Sequence, residues 1–359
     1  MTPPAPAPGA SEDAKSLFIE SAACAEQRRW EAAIKLATRA GNLAEENDDA
    51  ATLIEAGTLL ERLGEYSLSG RFLARAGLIN KPCPVPEWAG ESLAGKTLLV
   101  MQRMRHIGSP IRMARLIPVV AGPAKRCVVL CERRLVPLFR RSFPDFDVRE
   151  AGADDGAALA EADVAASYET LQAYAPIDAR MNAFRLRADA ARVRALRQRY
   201  LAGASGPLVG ICWHSTNSRK DLPSLADWQA ALPEIPGTLV SLQYGDVAAD
   251  IAALSQGGRT VIWDPEVDGL TDLDGFAAQV SAMDAVFAIS GTGVHVAGAL
   301  GVPATVLLDD RQLLIWSPWS SSGEPWYRDV ALVRRQTRPW DAVFAQATAG
   351  LRKQLGLEF

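Results

Sequence analysis

Histidine and cysteine, two residues that often bind transition metals, are scarce in this chain of 359 residues. The histidines number three, and the five cysteines are scattered without the paired spacing of a zinc site. An odd number of dispersed cysteines is typical of reduced thiols in an intracellular protein. We therefore expect a cytoplasmic protein that uses no metal and no other cofactor.

Several signatures of nucleotide and hydrolase chemistry are also missing. No GxGxxG follows the first predicted strand, and the chain has neither a Walker sequence nor a GxSxG elbow. A net charge of −4 gives no reason to expect nucleic acid or an acidic membrane surface as a partner. Residues 1–12 form a Pro/Ala-rich tail that lacks the basic and apolar regions of a signal peptide, and we expect it to be disordered.

Formal charge is absent between Asp284 and Asp309. About 20 uncharged residues could span a bilayer, but four glycines and Pro303 interrupt this stretch. We predict instead a buried strand over 285–289, a turn over 290–293, a helix over 294–300 and a strand over 302–308. Continuous apolar runs of this kind are typical of parallel strands covered on both faces, so we expect no membrane span.

The polar residues of this stretch fall where a strand ends and a helix begins. Free backbone N–H groups and the helix dipole favour an anion at such a position, and open α/β sheets bind ligands there. Ser290, Gly291, Thr292, Gly293 and His295 are therefore candidate ligand-binding residues.

A helical segment with an internal echo precedes the strands. RWEAAIKLATRAG (29–41) aligns with EYSLSGRFLARAG (65–77), so that Trp30 matches Tyr66. Helix pairs that repeat at about 34 residues are typical of tetratricopeptide repeats. Residues 13–80 are thus either two such repeats or a plain helical cap on the following domain.

Strands and helices alternate from Lys96 onward, in two blocks. This alternation predicts right-handed βαβ units and parallel sheets. We expect a linker over 81–95, a Rossmann-like domain over 96–204, and a second Rossmann-like domain with a C-terminal helix over 205–359. A cleft between two doubly wound domains would then hold the ligand.

All three histidines fall in predicted strand-to-helix loops: His106, His214 and His295. In WHSTNSRK, the loop that holds His214, the side chain of Asn217 can donate hydrogen bonds and Arg219 or Lys220 brings positive charge. Together with the glycine-rich turn this loop could clamp a diphosphate from two sides. The alternative is that its cations are solvated loop charges.

A set of motifs recurs in an order that resembles a known family. GKTLLVMQ, IGSPIRMARLIP and ERRLVPLFRRSFPDFDV are followed by GICWHSTNSRKDLPSL, SLQYGD, SAMDAVFAISGTGVHVAGALGVPATVLL and EPWYRDVALVRRQ. The chain resembles bacterial proteins that join tetratricopeptide repeats to a glycosyltransferase domain related to the ADP-heptose:lipopolysaccharide heptosyltransferases. It is more distantly similar to O-linked N-acetylglucosamine transferases. The resemblance covers roughly residues 90–345.

The resemblance implies a GT-B fold, in which two Rossmann-like domains hold a nucleotide-sugar donor, mainly through the C-terminal one. It also implies roles for residues: Lys220 and the Gly291–Gly293 turn would hold the donor diphosphate, with the Thr292 hydroxyl and His295 beside the phosphates. Gln243 and Tyr244 would lie near the base or ribose. Cationic and helix-end N–H groups stabilise a departing diphosphate, so this task requires no metal.

Two positions depart from the family pattern. Heptosyltransferase relatives carry Gly-Asp after the first strand, where this chain has Gly108-Ser109, and an Asp where this chain has Ser290. His106 is the nearby group whose usual pKa, about 6.5, suits a catalytic base near neutrality. We therefore expect His106 to act as the base if the protein is an enzyme.

These observations favour a cytoplasmic bacterial glycosyltransferase that moves a sugar from a nucleotide donor to an acceptor bound by residues 13–80. A protein acceptor, such as a flagellar or surface subunit, is preferred. Two alternatives stay open: a degenerate GT-B scaffold that binds without turnover, and a transferase acting on a lipopolysaccharide-type glycan.

Overall fold

The computed structural model of the chain describes residues 13–103, 107–177, 183–204, 206–217, 220–256, 258–309, 316 and 326–357. These residues form two compact units. The helical unit contains residues 13–84, 169–174 and 316, and the sheet unit contains the other described residues from 85 onward.

The helical unit begins with two helix pairs. The four helices are α1 (Ala14–Glu26), α2 (Trp30–Glu46), α3 (Ala50–Arg62) and α4 (Tyr66–Asn80). α3 and α4 begin 36 residues after α1 and α2, which is the same offset as that of the echo in the sequence. Small residues of α2 and α4 allow close packing, and a Cβ on Gly41 would overlap the ring of Phe72.

The two helix pairs have equivalent residues at the cap of the first helix and in the turn between the helices. Asp13 caps α1 by accepting hydrogen bonds from backbone N–H groups of the first turn, and Asp49 caps α3 in the same way. Arg28 and Gly64, which lie 36 residues apart in the two inter-helix turns, both have positive φ angles, of 58° and 83°. The sequence echo therefore extends to the backbone conformation of the turns.

Residues 169–174 complete the helical unit from a distant part of the chain. They belong to helix α9 (Tyr168–Tyr174) and cross α4 at Gly70, where a Cβ would lie 2.5 Å from the backbone nitrogen of Ala173. The Gln172 amide donates to the Tyr66 carbonyl (3.1 Å), and the Ser67 hydroxyl donates to the Ala173 carbonyl (2.6 Å). Two repeats are fewer than such arrays usually need, and here a further helix covers α4.

The first lobe of the sheet unit is a parallel four-stranded sheet in the order β3-β2-β1-β4. Its strands are β1 (Thr97–Met101), β2 (Arg126–Cys131), β3 (Asp147–Glu150) and β4 (Val164–Ser167). The helices of this lobe are α5 (Gly108–Met113), α6 (Ile117–Ala121), α7 (Val136–Ser142) and α8 (Asp155–Glu161). Part of the predicted linker also joins this sheet, because Trp88 and Pro86 exchange backbone hydrogen bonds with Ala165 of β4.

The second lobe is a parallel six-stranded sheet in the order β10-β9-β8-β5-β6-β7. The strands are β5 (Leu208–Cys212), β6 (Thr238–Ser241), β7 (Val261–Ile262), β8 (Ala285–Ile289), β9 (Ala304–Leu308) and β10 (Val330–Arg334). The helices are α10 (Ala190–Leu201), α11 (Leu225–Ala231), α12 (Ala248–Ser255), α13 (Leu273–Ser281), α14 (Thr292–Leu300) and α15 (Trp340–Gln354). The chain order reverses between β5 and β8, which makes this pair the topological switch point.

The α/β architecture predicted from the sequence is confirmed, and two strands were missed. The uncharged stretch after Asp284 forms the predicted strand, helix and strand as β8, α14 and β9. The missed strands are β4 and β10. Among the helices in the described part of the chain, none combines the length and apolarity needed to cross a membrane.

Helix α10 differs from its expected place. The sequence assigned it to the end of the first domain, but its arginines bind carboxylates of the second lobe. Arg192 pairs with Asp272 at 2.7 Å, and Arg197 pairs with Asp284 at 2.8 Å. The helix therefore covers the second lobe through its basic side chains, a pairing that hydrophobic periodicity does not reveal.

Candidate functional site

A cavity of about 680 Å³ lies at the carboxyl edge of the second sheet and reaches the first lobe. Ligands of open α/β sheets bind at this edge, next to the switch point. From the second lobe it is lined by three loops that follow β5, β6 and β8, and by α13. Six of the residues singled out in the sequence meet in its wall: His214, Gln243, Tyr244, Gly291, Thr292 and Gly293.

The glycine turn, residues 290–293, joins β8 to α14. Gly291 caps the helix in an extended conformation, and the N–H groups of Thr292 and Gly293 have no acceptor within the described part of the chain. A Cβ at Gly293 would lie 3.1 Å from the Sγ atom of Cys212. The turn thus presents unpaired donors and a helix amino end to the cavity, which favours an anion there.

The ammonium group of Lys220 lies against this turn. Its Nζ atom donates to the Ser290 carbonyl at 2.6 Å, and burial lowers the pKa of the ammonium group, an effect that Asp309 opposes. The neighbouring residue is anchored as well, since the Asp221 N–H donates to the Asp309 carboxylate and Arg335 pairs with Asp221 at 2.8 Å. A half-buried ammonium group beside the glycine turn is thus placed by the fold.

Gln243 links the loops that follow β5 and β6. Its Oε1 atom accepts hydrogen bonds from the backbone N–H groups of Trp213 (3.0 Å) and His214 (2.9 Å). The Trp213 indole in turn donates to Asp250 at 2.8 Å. The side chain of Gln243 therefore holds the His214 loop in place while lining the cavity.

His295 occupies a different position from the other predicted ligand-binding residues. It is buried on α14, its Nδ1 atom lies 3.0 Å from the Tyr327 hydroxyl, and its Cδ2 atom would be 3.1 Å from a Cβ on Gly108 of α5. Burial, with the nearby cations Arg112 and Lys220, lowers the pKa of His295 to about 3. The imidazole is thus neutral at physiological pH and packs where α5 of the first lobe meets α14.

Two buried arginines of the first lobe reinforce this contact. The guanidinium group of Arg112 stacks 4.4 Å from the ring centre of Trp326, and that of Arg115 lies 5.4 Å from the ring centre of Tyr327. Burial lowers the pKa of Arg115 to about 10, so its side chain remains charged at neutral pH. Cation–π contacts therefore hold residues 326–327 against the first lobe.

The sequence reasoning missed the first-lobe side of the cavity. Glu132 and Arg134, which follow β2, line it, form an ion pair, and reach the second lobe where Arg134 donates to the Leu270 carbonyl at 2.6 Å. Their place after a strand of a parallel sheet was the available signal. Cys212 also lines the cavity, but burial raises its thiol pKa to about 12, so it stays protonated.

Other residues singled out in the sequence lie beside the cavity or outside the described residues. The Asn217 carbonyl accepts from the Lys220 N–H at 3.2 Å. Ser109 lies half-buried in α5. His106 and Arg219 lie outside the described residues. Within the described ranges, no group of three or more His, Cys, Asp and Glu side chains is placed to hold a metal ion.

No protein-family profile matches the chain. Among curated proteins, Protein FlbA of Caulobacter vibrioides is 29% identical over 294 residues, which cover 75% of this chain and 48% of that protein. The chain thus spans about half the length of the curated relative it matches.

The fold of the chain is similar to that of solved structures. A glycosyl transferase family 9 protein from Veillonella parvula aligns with a TM-score of 0.54 and 12% identity, over 75% of this chain and all of that one. The ADP-heptose lipopolysaccharide heptosyltransferase II of E. coli aligns with a TM-score of 0.52 and 12% identity, over 72% of this chain and 98% of that one. Two facing parallel sheets, the edge cavity and these similarities identify the fold of the sheet unit as GT-B.

Proposed function

We propose that this protein is a glycosyltransferase that moves a sugar from a nucleotide-sugar donor to a protein acceptor. The observation that carries the proposal is the pairing of Lys220 with the glycine turn at the wall of a large cavity in a GT-B fold. Lys220 and the free N–H groups of Thr292 and Gly293 offer charge and hydrogen bonds to the same small region. A diphosphate matches both features.

The same groups would assist departure of the nucleoside diphosphate. Breaking the glycosidic bond places additional negative charge on the leaving phosphate, and fixed donors stabilise that charge without reorganising. Lys220 is suited to this role because the Ser290 carbonyl already holds its ammonium group and the Asn217 carbonyl accepts its backbone N–H. In this proposal no metal ion takes part, and His106 accepts the proton of the acceptor hydroxyl.

The proposal assigns acceptor binding to the helical unit. Its two helix pairs repeat as tetratricopeptide pairs do, and such arrays commonly bind protein segments. The acceptor would be a flagellar or surface subunit, modified in the cytoplasm before export. This assignment rests on analogy of architecture.

Substitution of Lys220 tests the donor site. Charge-assisted hydrogen bonds to phosphate contribute about 1.5–3 kcal/mol, so Lys220→Ala should weaken nucleoside diphosphate binding at least tenfold. Isothermal titration calorimetry with ADP, GDP, CDP and UDP measures this. Lys353→Ala, at an exposed lysine of α15, is the matched control and should bind as the parent does. Equal affinity of Lys220→Ala and the parent would show that the diphosphate clamp is wrong.

A binding module without turnover is the second candidate. One observation favours it: Glu132 is the single carboxylate among the described residues that line the cavity, and Arg134 neutralises it. A module of this kind would bind nucleotide sugars without releasing nucleoside diphosphate. Assay of sugar release from the best-binding donor, with and without acceptor protein, separates the two candidates.

A further inference from the structure

The side-chain amide of Gln243 is fixed in one orientation. Its Oε1 atom accepts two backbone hydrogen bonds, from Trp213 and His214. Rotating the amide by half a turn would place its NH2 group against these two N–H donors. Because two N–H donors facing an NH2 group would be left unpaired, the observed orientation is strongly preferred.

The NH2 group of Gln243 therefore remains available to a ligand. Gln243 is 8% exposed and lines the cavity, and its Nε2 atom has no acceptor among the described residues. The backbone behind it is also fixed, because the Gln243 N–H donates to the Ser241 hydroxyl at 3.3 Å. The fold thus presents a rigid hydrogen-bond donor, and no acceptor, at this point of the cavity wall.

The position of this donor relative to the glycine turn suits the nucleobase. The turn follows β8, the His214 loop follows β5, and Gln243 follows β6, and these three strands are neighbours in the sheet. Adjacent strands lie about 4.8 Å apart, so Gln243 is about 10 Å from the glycine turn along the sheet edge. A diphosphate at the turn leaves room for a ribose over β5 and a base at β6. Leu242, Leu273 and Phe276 give the same cavity an apolar wall suited to the faces of a base.

We infer that Gln243 determines which nucleobase the donor carries. Its Nε2 atom donates to an acceptor on the base edge, a carbonyl oxygen or an unprotonated ring nitrogen, and disfavours a base that presents an amino group there. This inference rests on the proposed donor site, since it assumes that the diphosphate lies at the glycine turn.

The test exchanges the donor for an acceptor without disturbing the anchor. In Gln243→Glu one carboxylate oxygen still accepts from Trp213 and His214, while the other faces the cavity as an acceptor. Calorimetric affinities for ADP, GDP, CDP and UDP are measured for the parent, Gln243→Glu and Lys220→Ala. The introduced charge repels all four diphosphates alike, so it cancels when the affinities are expressed as ratios between bases. Gln243→Met removes the amide without adding charge, and thermal melting checks that each variant is folded.

We expect the parent to distinguish the best from the worst base at least tenfold. Gln243→Glu should weaken binding of the nucleotide with the best base at least tenfold, and it should narrow the affinity differences between the bases or reverse their order. Gln243→Met should narrow these affinity differences. Lys220→Ala should weaken all four by one factor and leave the ratios unchanged. Unchanged ratios in folded Gln243→Glu and Gln243→Met would overturn the inference alone. Failure of all four nucleotides to bind the parent would overturn the proposed donor site as well.

Discussion

His214 and His295, the two histidines in the described part of the chain, have different environments. His214 is exposed at the cavity, whereas His295 is buried between α5 and α14, bonded to Tyr327. The sequence placed both in strand-to-helix loops; His214 follows β5, whereas His295 lies in the first turn of α14, and the sequence could not show which way each side chain points. Side-chain direction depends on the packing of α5 of the first lobe against α14, a contact that strand and helix patterns do not encode.

The buried imidazole should make the protein sensitive to acid. Its folded-state pKa, about 3, is lower than the unfolded value of about 6.5. The unfolded chain therefore takes up the proton first, and the stability that depends on the neutral form is lost as the pH falls from about 6.5 toward 3. The slope in that window is at most about 1.4 kcal/mol per pH unit. We expect the free energy of unfolding of the parent to fall more steeply below pH 6.5 than that of His295→Asn.

Urea unfolding at pH 7, 6, 5 and 4 measures the difference. Asn can still bond to the Tyr327 hydroxyl but does not titrate, so carboxylate effects common to both proteins cancel. The exposed His214 provides the control, and His214→Asn should follow the parent curve. Parallel curves for His295→Asn and the parent would contradict the assignment of a buried neutral imidazole.

At the scale of elements, apolar runs made the interior strands predictable. β8 and β9 are predominantly apolar segments, and their bounds differ little from those expected. β4 was missed because VAAS is short and made of small residues, and β10 because VALVR alternates at the sheet edge. The glycine turn was found because its glycines and hydroxyls interrupt an apolar run. The Glu132–Arg134 pair was not, since nothing in the sequence shows that it faces the second lobe.

The two lobes are joined by a bidentate ion pair between elements. Arg141 of α7 donates to both carboxylate oxygens of Asp274 on α13, at 2.7 and 2.9 Å. Because the side chain of Asp274 is only 10% exposed, removal of Arg141 would leave the Asp274 carboxylate unpaired and with little access to solvent. We expect Arg141→Met to lower the free energy of unfolding by about 2–3 kcal/mol. This is less than the roughly 3–5 kcal/mol lost when one partner of a fully buried ion pair is removed, because this pair is only partly buried.

A double-mutant cycle isolates this contact. Asp274→Leu together with Arg141→Met replaces the pair by apolar side chains and should recover most of the lost stability. Arg352→Met, at an exposed arginine of α15, gives the cost of removing a surface arginine. If the double variant is less stable than Arg141→Met, the destabilisation does not come from the unpaired Asp274 charge.

At the scale of the whole molecule, the residues proposed to bind the diphosphate and the helix pairs belong to different units. Lys220, Gln243 and the glycine turn lie in the sheet unit, whereas residues 13–80 lie in the helical unit with residues 169–174. Deleting residues 1–80 would also uncover residues 169–174, including the fully buried Leu171 and Gln172. A deletion therefore perturbs folding as well as acceptor binding, and a surface substitution is the sharper probe.

Ile19 offers such a probe, because it is a large apolar side chain of α1 that is 58% exposed. If the helical unit binds the acceptor protein through apolar contacts on α1, Ile19→Asp should reduce transfer of labelled sugar to cellular protein at least tenfold. Donor affinity by calorimetry should stay within about twofold, since the proposed nucleotide site lies in the other unit. Ala51→Asp introduces the same charge at an exposed position of α3 and controls for charge alone. Undiminished transfer by a folded Ile19→Asp variant would remove this face of α1 from the acceptor site, because an aspartate at the centre of an apolar contact cannot be buried without a large cost in binding free energy.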